Sequence, residues 1–209
     1  PAVIVTPPAP QPVPLPTPQP APTTPPEPAK PSRFGAVVAR LKEIEGGYVD
    51  DPRDNGGCTN RGITIATLRD WRGNPNLTCD DVRALTWDEA VKIYRTKYWN
   101  ASSCDQLPCG VDWEVFDIAV NAGVRRAAEF LQTIVAKYDA TIAVDGIIGP
   151  LTLAAVSKVP PAQLVEMLWT ERMEHYKSLD DWTHYGAGWK NRADGVKAEA
   201  LQDLSLSKA

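Results

Sequence analysis

Apolar residues fall at Phe34, Val37, Val38, Leu41 and Ile44, three or four positions apart. That spacing predicts an amphipathic helix over about residues 32–45, closed by Gly46 and Gly47. The pattern then changes. Tyr48 and Val49 lead into a turn-rich run, Pro52 and Asp54-Asn55-Gly56-Gly57, followed by Thr59 to Thr64. Asn-Gly between two short polar-apolar runs predicts a small β-hairpin. Helical patterning resumes with a helix from Thr64, its cap, to Trp71. Thr78-Cys79-Asp80-Asp81 and Thr86-Trp87-Asp88-Glu89 both resemble helix starts. The second has capping-box spacing, and its helix should run to about Trp99. A loop over 100–110 precedes an apolar helix, Asp112 to Ala122, ended by Gly123. Val124 to Tyr138 places Phe130, Leu131, Ile134 and Val135 on one face. After a loop over 141–150, helices are expected at Leu151–Ser157, Pro161–Lys177 and Asp194–Leu204. The strand-helix alternation of a parallel sheet is missing. The pattern predicts an α+β fold, mainly α, with one small hairpin.

Residues 1–32 break this picture. Fourteen of the chain's 20 prolines lie in residues 1–31, with no apolar period to bury. Such a segment is expected to be a disordered, extended linker. At about 3.1 Å per residue it would reach on the order of 90 Å. Few basic residues flank its Pro-x-x-Pro registers, so a spacer is favoured over a ligand for SH3-type domains. A spacer implies an upstream membrane anchor or further domain. The chain starts with proline and shows no signal peptide, so a trimmed product is expected. The remaining 177 residues suffice for one well-buried domain with a helical extension.

Candidate chemistry centres on Glu45, in the last turn of the first helix. The negative end of a helix disfavours a carboxylate anion, which suits a proton donor. Asp54 on the hairpin is a candidate second carboxylate, with Asp50 and Asp51 as rivals. Taken alone, both positions also fit a solvated helix end and an ordinary turn. Other chemistries fall away. The net charge of −4 argues against a nucleic-acid partner, and no apolar run is long enough to span a membrane. His175 and His184 lack metal-site spacing with the cysteines, so no metal or other cofactor is implied. No nucleophile elbow or phosphate loop is present.

The string Glu45-Gly46-Gly47-Tyr48, then Asp54-x-Gly56-Gly57-x-Thr59-x-x-Gly62-Ile63-Thr64, resembles the opening motif of the glycoside hydrolase family 108 muramidases. These are similar to phage-type lysozymes and cut peptidoglycan. The likeness continues in Val115-Phe116-Asp117-Ile118-Ala119-Val120-Asn121-Ala122-Gly123. It extends through Asp145-Gly146-Ile147-Ile148-Gly149-Pro150-Leu151-Thr152-Leu153 and Gly188-Trp189-x-x-Arg192. It covers about residues 33–200, and four motifs in order make it specific. Cys58 departs from the small residues common there.

The resemblance implies a lysozyme-like module with a muramidase region at 33–123 and a C-terminal helical peptidoglycan-binding region at 124–209. It implies hydrolysis of the β-1,4 bond between N-acetylmuramic acid and N-acetylglucosamine. Glu45 would be the acid, Asp54 the second carboxylate, and Thr59 the residue that places water, with Thr64 a weaker choice. Tyr48, Asn121 and Thr64 would touch substrate. Asp117, one turn before Asn121 on the same face, is read as structural. The alternatives are a lytic transglycosylase acting on the same bond and a non-catalytic wall-binding module. A monomer in the periplasm, cell envelope or medium, bound to peptidoglycan glycan strands, is expected. A substrate outside the cytoplasm suggests oxidised cysteines. Cys104 and Cys109 share one loop and are expected to pair, leaving Cys58 with Cys79.

Overall fold

The computed structural model describes residues 33–50 and 57–207. The expected linker at 1–32, the Asn55-Gly56 turn, and Asp51 and Asp54 lie outside the described residues. The fold is mainly helical with one small antiparallel sheet, in the order α1 (Arg33–Ile44), β1 (Thr59–Asn60), β2 (Ile63–Thr64), α2 (Ile65–Arg72), α3 (Cys79–Arg83), α4 (Trp87–Ile93), α5 (Val111–Ala122), α6 (Val124–Val135), α7 (Pro150–Val156), α8 (Pro161–Lys177) and α9 (Trp182–Leu206). A π-helical stretch, Tyr94–Asn100, extends α4, and a 3-10 turn covers Cys104–Gln106.

Helix α5 is the axis of the molecule. Nine consecutive residues, Val111 to Ala119, are buried, so it has no solvent face before its last turn. It packs against α6, α8 and α9. Phe116 projects from it into a ring of Phe34, Tyr94, Trp99 and Trp113, with centroids 5.4–6.2 Å apart. Full burial of each such side chain contributes about 1.5–3 kcal/mol. A second, smaller cluster joins Met173, Tyr176 and Ala193 to Trp169, Trp182 and Trp189.

The hairpin differs from its expected form. Thr59 pairs with Thr64 and Asn60 with Ile63. The tight turn between them is Arg61-Gly62, both at positive φ. Val49 also bridges to Thr59, so Asn55-Gly56 falls within the segment between those two residues. The left-handed Arg61 is held from three sides. Its side chain donates to the Leu85 carbonyl and lies over the Trp87 ring. Its carbonyl accepts from the Tyr94 hydroxyl at 2.7 Å.

The cysteines divide. Cys58 is bonded to Cys79, which staples the sheet to α3. The expected Cys104–Cys109 pair is absent, and both are free thiols. The shared loop does not close because the 3-10 turn commits Cys104 to the core, while Cys109 is only half-buried. Burial pushes both thiols above their ordinary range.

Candidate active site

Glu45 sits where α1 meets the sheet. Its backbone N–H completes the last helical turn by donating to Leu41 at 2.8 Å. Its side chain is 12% exposed. Oε1 accepts from Arg192 Nη2 of α9 at 2.9 Å. Oε2 lies over the Arg61-Gly62 turn beside the Tyr94 hydroxyl. A Cβ at Gly62 would run into both the Glu45 carboxylate and that hydroxyl. Glycine is therefore required there for space as well as for its positive φ. Burial first, and then the charge of Glu45, raise the Tyr94 phenol above its ordinary range. It stays protonated and donates to Arg61.

Behind Glu45 runs a buried ionic network. Arg192 also bonds Asp117, at 2.8 Å through Nη2 and 3.0 Å through Nε. Arg172 of α8 reaches Asp117 at 2.6 Å. Burial opposes ionisation of Asp117, but the two arginines outweigh it and hold the carboxyl below its usual range. Arg172 Nε then donates to the Tyr176 hydroxyl at 2.8 Å, which donates to Asn121 Oδ1 at 2.8 Å. Burial keeps Arg172 and Arg192 from gaining water, yet their acidic partners hold both fully charged.

The residues expected to form the site are thus differently placed. Glu45 and Asn121 lie at opposite ends of one network. The Tyr48 ring has the Arg83 guanidinium 4.4 Å from its centroid, and its hydroxyl donates to Asp50 at 3.0 Å. One face of that ring is therefore already used. Thr59 directs its hydroxyl to the Gly57 carbonyl at 3.4 Å. Thr64 caps α2, accepting from the Thr67 N–H at 3.3 Å. Arg192, Arg172 and Tyr94 were not foreseen as part of the site. Only Arg192 carried a signal, as the last residue of Gly188-Trp189-x-x-Arg192. Among the described residues, no group of three or more His, Cys, Asp or Glu side chains is gathered so as to hold a metal ion.

The family model described as glycosyl hydrolase 108 matches residues 38–123. The structure of Brucella abortus SagA is 39% identical, with a TM-score of 0.76, over 81% of this chain and 94% of that one. The chain belongs to the glycosyl hydrolase 108 family. A second model, described as a predicted peptidoglycan domain, matches residues 126–194. No curated protein matches the sequence. This glycosyl hydrolase 108 chain is a glycosidase acting on peptidoglycan, and its place of action is the wall, outside the cytoplasm. No helix among the described residues is long and apolar enough to cross a membrane.

Proposed function

We propose that the chain is a lysozyme-type muramidase, cleaving the β-1,4 bond between N-acetylmuramic acid and N-acetylglucosamine with Glu45 as general acid. The observation that carries this is the split environment of the Glu45 carboxyl. Oε1 is fixed by Arg192, while Oε2 faces the hairpin turn and has no donor among the described residues. A proton on Oε2 leaves Oε1 free to keep accepting from Arg192. The acid is thereby aimed before substrate arrives. Proton transfer to the glycosidic oxygen breaks its bond to the muramic acid C1. Asp54 is assigned the second role, taking a proton from the attacking water as positive charge develops on the sugar. Thr59 is assigned the placing of that water. A carboxyl separation of about 6.5–9.5 Å would give inversion, the outcome favoured here, and about 5–5.5 Å retention. The proposal extends to a monomer, periplasmic or secreted, tethered through residues 1–32, with residues 33–123 catalytic and 124–209 holding the wall.

Glu45→Gln keeps the shape and the Arg192 bond but carries no acidic proton. It should abolish cleavage of purified peptidoglycan while leaving the melting temperature within a few degrees and wall pelleting intact. Asp54→Asn should lower the rate at least a hundredfold, in the range of general base catalysis. Products read by mass spectrometry should carry hydrated reducing ends. Products with 1,6-anhydro ends, formed by an Asp54→Asn protein of near-full activity, would replace this reading with a transglycosylase.

A further inference from the structure

A cavity of about 530 Å³ opens beside the far end of the network, lined by Asn121, Ala122, Arg126, His175, Tyr176, Leu179 and Trp189. Its position follows from helical geometry. On α5, Asn121 lies one turn past Asp117. On α8, Tyr176 lies one turn past Arg172. On α9, Trp189 lies one turn before Arg192. Three helices therefore each give one residue to the network that grips Glu45 and another, about 5–6 Å along the axis, to the cavity. The cavity thus borders the network that orients Glu45, at the end away from it.

Its chemistry is specific. Trp189 and Tyr176 form an aromatic wall, 5.3 Å between ring centroids, which Tyr185 extends at 6.0 Å from Trp189. Asn121 spends its oxygen on Tyr176. Its amide nitrogen has no partner among the described residues and is left to donate. None of the lining residues carries a carboxylate. Arg126 lies at the rim, 47% exposed, paired at the surface with Glu129 at 3.1 Å. Burial and the nearby Arg126 keep His175 below its ordinary range, so it is neutral at pH 7. The site thus offers a stacking face, an amide donor and one positive charge.

Resting on the muramidase reading, we infer that this cavity is a second glycan subsite, which takes a carboxylate-bearing unit of the strand next to the one being cut. The sugar's apolar face stacks on Trp189 and its carboxylate meets Arg126 and the Asn121 amide. Peptidoglycan supplies such a carboxylate from two sources: the lactyl group of a muramic acid stripped of its peptide, or the free carboxylates of a stem peptide.

The test uses the full chain carrying Glu45→Gln, so that ligands bind without being cut. Three probes are titrated while the Trp189 indole resonance is followed by NMR. They are a muramic-acid tetrasaccharide with free lactyl groups, the same glycan bearing stem peptides, and chitotetraose, which has no carboxylate. Adding Arg126→Gln should weaken binding of a carboxylate-bearing probe on the order of tenfold, the worth of one charge-assisted bond. Arg126→Lys should restore part of it, and chitotetraose should bind both proteins equally. Loss with the first probe alone identifies the lactyl carboxylate, and loss with the second alone the stem peptide. Equal affinity of the Glu45→Gln chain, with and without Arg126→Gln, for both carboxylate probes overturns the subsite, as does a Trp189 resonance that no probe moves. Wall cleavage by the unaltered chain, measured beside these titrations, reports on the muramidase reading alone.

Discussion

Glu114 shows what the interior of α5 does to a single carboxyl. It is fully buried, and neither oxygen accepts a hydrogen bond. Arg172 Nη1 stands 3.9 Å away, too far to bond. Burial pushes the group up to about 8, Arg172 pulling against it and Asp117 adding to it. Glu114 is therefore neutral at pH 7, and the 3.9 Å contact is not an ion pair there. The folded state holds this proton after the unfolded chain, near 4.5, has released it. Stability is fully present below that pH and is lost as pH rises through about 8. At about 1.4 kcal/mol per unit, the whole window is worth up to roughly 5 kcal/mol. Glu114→Gln should flatten this dependence, so that melting temperatures at pH 5 and pH 8.5 differ less than in the parent. Two proteins with the same pH slope would remove the assignment. At this scale the sequence was legible for position, since the two glycines after Glu45 put it at the end of the first helix, where it lies. It was silent on Tyr94, Arg172 and Glu114, because helical spacing reports burial and not which buried polar groups meet.

Elements were legible where caps and periodicity agree. Thr64, Thr78 and Thr86 open α2, α3 and α4 as their side chains predict. The start of α9 was not. Its first half, Trp182 to Ala193, carries Gly186 and Gly188, and glycine weakens a helical pattern. Gly186 is there for packing, since a Cβ would run into the Trp182 ring. The π-helical stretch was hidden too, because a widened turn keeps the same apolar residues inside. The disulfide acts on this scale. Cys58–Cys79 closes 21 residues of chain and ties β1, which leads into the Arg61-Gly62 turn beside Glu45, to α3. In the loop-closure account such a bond contributes about 3 kcal/mol. Reduction should lower the melting temperature by several degrees, and thiol titration of unreduced, unfolded protein should find two free thiols. Four would show that the bond does not form in solution.

Across the whole molecule, the two segments that match separate family models share one interior. The main core runs from Phe34 in α1 to Leu204 in α9. Arg33 and Arg40 of α1 both bond Asp203 of α9, at 2.7 and 2.6 Å. Trp113 donates to Glu199 at 2.9 Å. Glu45 itself is held by Arg192, so the proposed acid is oriented by the segment that matches a peptidoglycan domain. The motifs announced two consecutive regions. What they did not announce is that α5 belongs to both, because contacts between distant segments leave no periodic trace. This bears on whether the first region works alone. Cutting after Gly123 strips α6, α8 and α9 from α5. Asp117 would lose both arginines, and Trp113 and Phe116 would lose part of their burial. Removing the partners of a buried charge alone costs about 3–5 kcal/mol, a large share of the roughly 5–15 kcal/mol that holds a domain together. A chain ending at residue 123 should therefore show no cooperative melting transition and no wall cleavage, even with residues 1–32 retained. Adding residues 124–209 as a separate chain should restore little, since α5 and α6 are joined directly through Gly123. A truncated chain that melts cooperatively and cuts peptidoglycan at near the full rate would show that Arg192 is dispensable for aiming Glu45.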